Sequence, residues 1–261
     1  MAGEERVAIV TGASSGIGAA CARMLAAAGV KVIATYAGNA EGADAVVGEC
    51  AAMGVDALAV RADVGEDTDC RAVADAARNR WGRIDILINN GGTTIAAPMT
   101  DLDALSGDDF QKLYQVNVIG AYQMVRACMP ELKASGAGSV INTSSISSVL
   151  AGVGSSMAYT ASKGAMNTMT VQLARALAPE VRVNAVLPGF VDSAWWARRH
   201  TQEEIAEMRA ASANRGVLRR VSTPEEIAEA MMLFALGGRS ITGQCLVVDN
   251  GMSMNVAQPM A

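Results

Sequence analysis

The sequence predicts an α/β domain of the doubly wound kind, a seven-stranded parallel sheet flanked by helices. Short β-branched runs recur between longer alanine-rich segments of helical character, and the runs are apolar almost throughout instead of alternating. The intervals between them are long enough for helical crossovers, which parallel neighbours require. Strands covered on both faces lose the polar and apolar alternation of a half-exposed sheet. At roughly 35 residues per strand-helix unit the whole chain, 1–261, is used by one domain. With 51% hydrophobic and 18% charged residues it can bury a full core.

In chain order the strand-like runs are Arg6–Thr11, Val30–Tyr36, Val55–Arg61, Ile84–Asn89, Ser139–Thr143, Val181–Leu187 and Cys245–Val248. The first feeds Thr11-Gly12-Ala13-Ser14-Ser15-Gly16-Ile17-Gly18 and then a helix over Ala19–Ala28. Glycines permit a tight turn and a close backbone approach, while the exposed amides and dipole of a helix start attract negative charge. A dinucleotide pyrophosphate is expected here, against Gly12, Ser14, Ser15, Gly16, Ile17 and Gly18. A long helix is expected from about Asp108 to Met129, stopped by Pro130, and another over Met157–Ala178. Segment 191–221, between the sixth strand and a helix beginning near Pro224, breaks the rhythm and carries two of the three tryptophans. It leaves the carboxyl end of a strand, where ligands of open α/β sheets lie, so it reads as a substrate lid with Trp195 and Trp196 toward the pocket.

Charge and composition remove several classes. The net charge of −5 argues against a nucleic-acid partner. Five scattered cysteines without a CxxC pair, and a single histidine, His200, argue against a disulfide framework or a metal centre. The start of the chain lacks a secretion signal, and no run of about 18 apolar residues follows. A soluble, cytoplasmic protein with no membrane partner is expected.

The chemistry centres on Tyr159 and Lys163. Four apart in a segment of helical composition, they project from one face. A free phenol titrates near 10 and is a poor base at neutral pH. An ammonium about 4 Å away is worth roughly 4 kcal/mol at an effective dielectric near 20, which would bring the phenol toward neutrality. Such a group can exchange a proton with a carbonyl or alcohol oxygen. A serine hydroxyl can hold that oxygen in line. Ser144 and Ser145 both follow the fifth strand, and Ser147 is a third candidate.

TGASSGIG at the first turn, NNGG at 89–92, a serine after the fifth strand and Tyr159-Thr160-Ala161-Ser162-Lys163 together resemble the short-chain dehydrogenase/reductase family, from about Val7 to Gly251. The pattern is most similar to 3-oxoacyl-[acyl-carrier-protein] reductase-like members. The resemblance implies a Rossmann-like domain, Ser145, Tyr159 and Lys163 as catalytic residues, and Asn117 as a kink in its helix that holds a relay water. The Ser145 to Tyr159 interval of 14 is one longer than usual, so the loop 147–156 is expected to carry an insertion. Asp63 and Val64 resemble the pair at the adenine ring. Asn89-Asn90-Gly91-Gly92 resembles the segment supporting the central strand and the adenosine ribose, which implies Asn89 and Gly91 as cofactor-binding residues. Pro188, Gly189, Val191 and Ser193 resemble the turn beside the nicotinamide. Homotetramers are usual in the family.

Residue 36 is where an acidic side chain would hold the ribose hydroxyls of NAD and repel the extra phosphate of NADP. It is Tyr36, followed by Ala37-Gly38-Asn39, a string that resembles NADPH-dependent ketoacyl reductases; Ser15, where an arginine often marks NADP enzymes, points the other way. NADP(H) is therefore the favoured cofactor and NAD(H) the alternative, as in an NAD-dependent alcohol or sugar dehydrogenase of the same family. The substrate is expected to be a small-molecule ketone or secondary alcohol. A nucleotide-sensing protein without turnover would have lost the tyrosine or lysine, and both are present. A lyase or epimerase belongs to longer chains with different glycine spacing.

Overall fold

Val7 and Ile9 pack into one layer of helices and Ala8 and Val10 into the other, so the first strand has no solvent face. The other central strands behave likewise, which is why the strand runs do not alternate. The structure, a computed structural model, describes residues 5–254; the ends of the predicted domain, 1–4 and 255–261, lie outside the described residues. Among the described residues the strands are β1 (Val7–Val10), β2 (Lys31–Tyr36), β3 (Ala57–Arg61), β4 (Ile86–Asn89), β5 (Gly138–Thr143), β6 (Val181–Pro188) and β7 (Cys245–Val248). They form one seven-stranded sheet in the order β3-β2-β1-β4-β5-β6-β7. Every pairing is parallel.

Helices α1 (Gly16–Ala27), α2 (Ala40–Ala52) and α3 (Asp67–Trp81) follow the first three strands. Then come α4 (Gly107–Tyr114), α5 (Gly120–Ala134), α6 (Met157–Ala176), α7 (Gln202–Arg215) and α8 (Pro224–Leu236). Residues of α1, α2 and α8 build the core on one face; those of α3, α5 and α6 build the core on the other. A buried Leu or Ile contributes about 1.5–3 kcal/mol relative to exposure. Leu25, Ile33, Leu87, Met124 and Ile141 are among the large side chains wholly enclosed. Chain order reverses at β1, with β2 on one side and β4 on the other, and open α/β sheets bind ligands at such a point.

Two helix boundaries differ from the sequence expectation. The first helix begins at Gly16, so Gly16, Ile17 and Gly18 form its first turn instead of preceding it. Pro130 does not stop the second: α5 runs through it to Ala134. The amide that proline lacks would have bonded the carbonyl of Arg126. Both residues lie on the exposed side, where water can take that carbonyl instead. The expected single helix over 108–129 is also divided, with a π-helical turn, Gln115–Ile119, joining α4 to α5.

Segment 191–221 closes on itself. Val191 pairs with Ser222, just beyond its far end, as an isolated bridge. The Asp192 amide donates to the Ser222 carbonyl at 2.9 Å. Between these ends stand a 3₁₀ turn, Trp196–Arg198, and α7, which buries Ile205. Arg209 of α7 pairs with Asp192 at 2.8 Å.

Candidate active site

The loop from β1 to α1 is shaped by its glycines. Gly12 and Gly16 sit at φ +64° and +56°, in the left-handed region. A Cβ on Gly18 would fall 2.4 Å from the Gly12 carbonyl oxygen and 2.6 Å from Asn90 Nδ2, so only glycine allows α1 to begin there. Asn90 Nδ2 donates to the carbonyls of Thr11 and Gly12, each at 3.1 Å, and Thr11 Oγ1 accepts from the amides of Asn90 and Gly91 at 2.9 and 2.8 Å. The ends of β1 and β4 are thereby stitched together at the switch point. Ser15, the N-cap of α1, makes no side-chain cap bond, which leaves the first-turn amides open to an anion. Ser193 faces Gly16 across the cleft, its Cβ 3.8 Å from where a Gly16 Cβ would be.

On the other side of the switch point, Ser145 stands two residues past the end of β5 and α6 carries Tyr159 and Lys163. Ser156 caps α6 by accepting the Tyr159 amide at 3.3 Å. The Tyr159 hydroxyl is hydrogen-bonded to Ser145. Lys163 Nζ lies 5.7 Å from the centre of the Tyr159 ring and donates to the Thr143 carbonyl at 2.7 Å. That lysine is 5% exposed, and burial lowers its pKa to about 8. Asn117 stands in the π-helical turn, fully buried. Its Oδ1 accepts the Thr93 amide at 2.8 Å, and its Nδ2 donates to the Thr93 carbonyl and to Ser162 Oγ, both at 3.0 Å. A Cβ on Gly92 would come 3.2 Å from Asn117 Oδ1 and 3.8 Å from Lys163 Nζ, so glycine lets the chain pass close to both polar groups.

The profile described as enoyl-(acyl carrier protein) reductase matches residues 12–253. A Streptomyces violaceoruber protein named as ketoacyl reductase 2 of the granaticin polyketide synthase is 42% identical, over 95% of this chain and 96% of its own. The cis-4-hydroxycyclohexanecarboxylate dehydrogenase of Sinomonas cyclohexanicum is 36% identical, over 95% and 96%. A Burkholderia xenovorans crystal structure described as a short-chain dehydrogenase/reductase superposes with a TM-score of 0.88 at 40% identity, covering 96% of this chain and 99% of that one. The chain belongs to the short-chain dehydrogenase/reductase family. It is accordingly an NAD(P)-dependent oxidoreductase acting on ketone and alcohol groups. The glycine turn and the open start of α1 fit a dinucleotide, since Ser15 leaves the first-turn amides without a side-chain cap and Gly12 and Gly16 take left-handed angles that bring the backbone round to face a pyrophosphate.

As a short-chain dehydrogenase/reductase, the chain brings most of the expected residues to the carboxyl ends of its strands. Gly12, Ser14, Ser15, Gly16, Ile17 and Gly18 follow β1. Tyr36 ends β2, and Asp63 and Val64 follow β3. Gly91 follows β4, while Pro188 ends β6 and leads to Gly189, Val191 and Ser193. Ser145, Tyr159 and Lys163 are joined as described, and the longer interval between Ser145 and Tyr159 does not separate them. Of the three serines, Ser144 turns away to donate to the Lys163 carbonyl at 3.1 Å, and Ser147 donates to Ser145 Oγ, also at 3.1 Å.

Some expected residues stand elsewhere. Asn89 is 3% exposed and donates to Asn142 Oδ1 at 3.0 Å and to the Ala121 carbonyl at 3.3 Å, so its side chain braces the sheet interior instead of facing a ligand. Asn39 caps α2, accepting the Gly42 amide at 3.1 Å, and reaches the Ser14 carbonyl at 3.4 Å. Trp196 stacks on Phe190 with ring centres 5.0 Å apart and donates to the Val191 carbonyl at 2.8 Å, which makes it part of the local packing where segment 191–221 begins. Trp195 is 38% exposed, with the Arg199 guanidinium 5.0 Å over its ring.

The expected effect of Lys163 on Tyr159 is also corrected. Burial raises the phenol above its ordinary range, and the hydrogen bond with Ser145 is what acts against this. The amine is turned onto the Thr143 carbonyl and is itself desolvated, so its charge is not the dominant influence on the phenol.

Asn90 and Thr11 lie inside the NNGG and TGASSGIG strings, but the sequence does not single them out as the pair that ties β1 to β4, and Thr143 lies outside every expected site. Thr143 contributes a backbone carbonyl, which every residue possesses and no residue type reveals.

Proposed function

We propose that this oxidoreductase reduces a ketone with NADP(H), Tyr159 acting as general acid. The observation that carries this is the phenol, hydrogen-bonded to Ser145 and kept protonated by burial, with the Lys163 amine held behind it by the Thr143 carbonyl. A group that gives a proton must hold it at neutral pH, and burial keeps the phenol protonated there.

When bound, the nicotinamide supplies the hydride. The rest is the work of this chain. Gly12, Ser14, Ser15, Gly16, Ile17 and Gly18 would hold the pyrophosphate, Asp63 and Val64 the adenine, Val191 and Ser193 the nicotinamide end, and Lys163 the ribose. Ser145 orients the carbonyl oxygen, Tyr159 gives it a proton, and Ser145 shares the developing charge. A water beside Gly92 would link Asn117 to Lys163 and return the proton. The lid 191–221 covers a small-molecule ketone. The names of the ketoacyl and hydroxycyclohexane relatives support a ketone or secondary alcohol of modest size.

NADP(H) is favoured because residues 36–39, Tyr-Ala-Gly-Asn, place no carboxylate where the ribose phosphate would sit. Steady-state reduction of a ketone is expected to give a higher kcat/KM with NADPH than with NADH; a tenfold preference for NADH would overturn the assignment. The two tryptophans are expected to respond differently. Trp195→Ala raises KM for bulky ketones with little change in melting temperature, whereas Trp196→Ala lowers both kcat and lid stability. Identical kinetics for wild type and Trp195→Ala would remove Trp195 from the substrate pocket.

A further inference from the structure

We propose that Arg61, on β3, is the residue that seats the ribose 2′-phosphate, together with Tyr36 and the turn at Ala37 and Gly38; this rests on the NADP(H) reading above and names the residue responsible. Tyr36 and Arg61 are register partners at the last positions of β2 and β3. Partners across parallel strands share a face and stand about 4.8 Å apart. Arg61 Nε donates to the Ala37 carbonyl at 3.4 Å, so the guanidinium is drawn over the turn that follows β2. That turn is tied to the glycine loop by Asn39, whose Nδ2 reaches the Ser14 carbonyl.

The charge of Arg61 is not already spent. Arg23 and Arg80 each pair with a carboxylate, Glu49 and Asp56 respectively. Among the described residues no carboxylate pairs with Arg61, and its terminal nitrogens have no partner. Asp63, two residues on, turns its Oδ1 to the Gly65 amide at 2.9 Å. The corner is also open: a Cβ on Gly38 would meet nothing within 4 Å. A planar guanidinium with free terminal N–H groups matches a phosphate monoester by paired, charge-assisted hydrogen bonds. Tyr36 adds a hydroxyl on the same face.

Calorimetric titration of the intact protein with adenosine 2′,5′-bisphosphate and with adenosine 5′-monophosphate tests this without turnover. The wild type is expected to bind the bisphosphate at least tenfold more tightly. Arg61→Gln is expected to lose at least that factor for the bisphosphate while keeping its affinity for the monophosphate, and Arg61→Lys to recover part of it. The retained monophosphate binding shows that the variant is folded. A wild type with no preference for the extra phosphate overturns the cofactor reading itself. A wild-type preference that survives in Arg61→Gln, or an equal loss of both ligands, overturns the role of Arg61 and leaves the cofactor reading standing.

Discussion

Tyr159→Phe is expected to lower kcat for ketone reduction by at least about 10³ while leaving cofactor affinity within a few-fold of wild type. The magnitude is the middle of the range for removing a positioned general acid. The substitution keeps the ring between Ser145 and Lys163 and deletes only the hydroxyl. The helix should be indifferent to it, because α6 is anchored by the Ser156 cap on the Tyr159 amide, not on its side chain. Ser145 loses its phenol partner but retains its contacts with the Ser147 amide and hydroxyl at 3.2 and 3.1 Å. Steady-state rates together with a cofactor titration check both halves of the expectation. Near-normal turnover would reject the role of Tyr159.

Lys163→Met is expected to produce a loss of similar size and, in addition, an unusual stability profile. Burial displaces Lys163 from 10.5 to about 8, which corresponds to about 3 kcal/mol of penalty on the folded state at neutral pH. The sign follows from proton counting. Between about pH 8 and 10.5 the unfolded chain binds more protons at this site than the folded one, so wild-type stability rises with pH across that window. Methionine removes the penalty and with it the bond to the Thr143 carbonyl, itself worth about 1.5–3 kcal/mol. Lys163→Met should therefore be no less stable than wild type at pH 7, and the comparison should shift in favour of wild type as pH rises toward 10.5. Denaturant unfolding at several pH values measures it. In wild type the same deprotonation should lower kcat/KM above about pH 8, as Lys163 loses its charge. A stability difference independent of pH would mean that Lys163 is not desolvated as described.

The fold was legible because its causes are local. Runs such as Val7–Val10 and Val32–Ala34 are apolar at successive positions, the pattern expected of a short strand covered on both faces. The glycine loop was legible for a similar reason: Gly12 and Gly16 need backbone angles, and Gly18 a lack of volume, that other residues cannot supply. Helix boundaries were less so. Nothing in Gln115–Ile119 announces a π turn, and Pro130 reads as a stop unless one knows that Arg126 faces water.

Within the site, spacing placed Tyr159 beside Lys163 but could not say how far each would be desolvated. A pKa follows from the surroundings in three dimensions, and the bond to Thr143 joins residues 20 apart. The same limit hid Asn90, whose two carbonyl partners belong to another strand's loop. Asn89 next to it reads identically and points into the sheet.

The most direct test of the account follows tyrosinate absorbance in the ultraviolet as the free protein is titrated, with Tyr159→Phe subtracted to isolate the one phenol. The account predicts no ionisation of Tyr159 at neutral pH, with its titration lying above that of a free tyrosine near 10. A tyrosinate already formed at pH 7 in the free protein would contradict it, because the group would then be poised to take a proton instead of giving one.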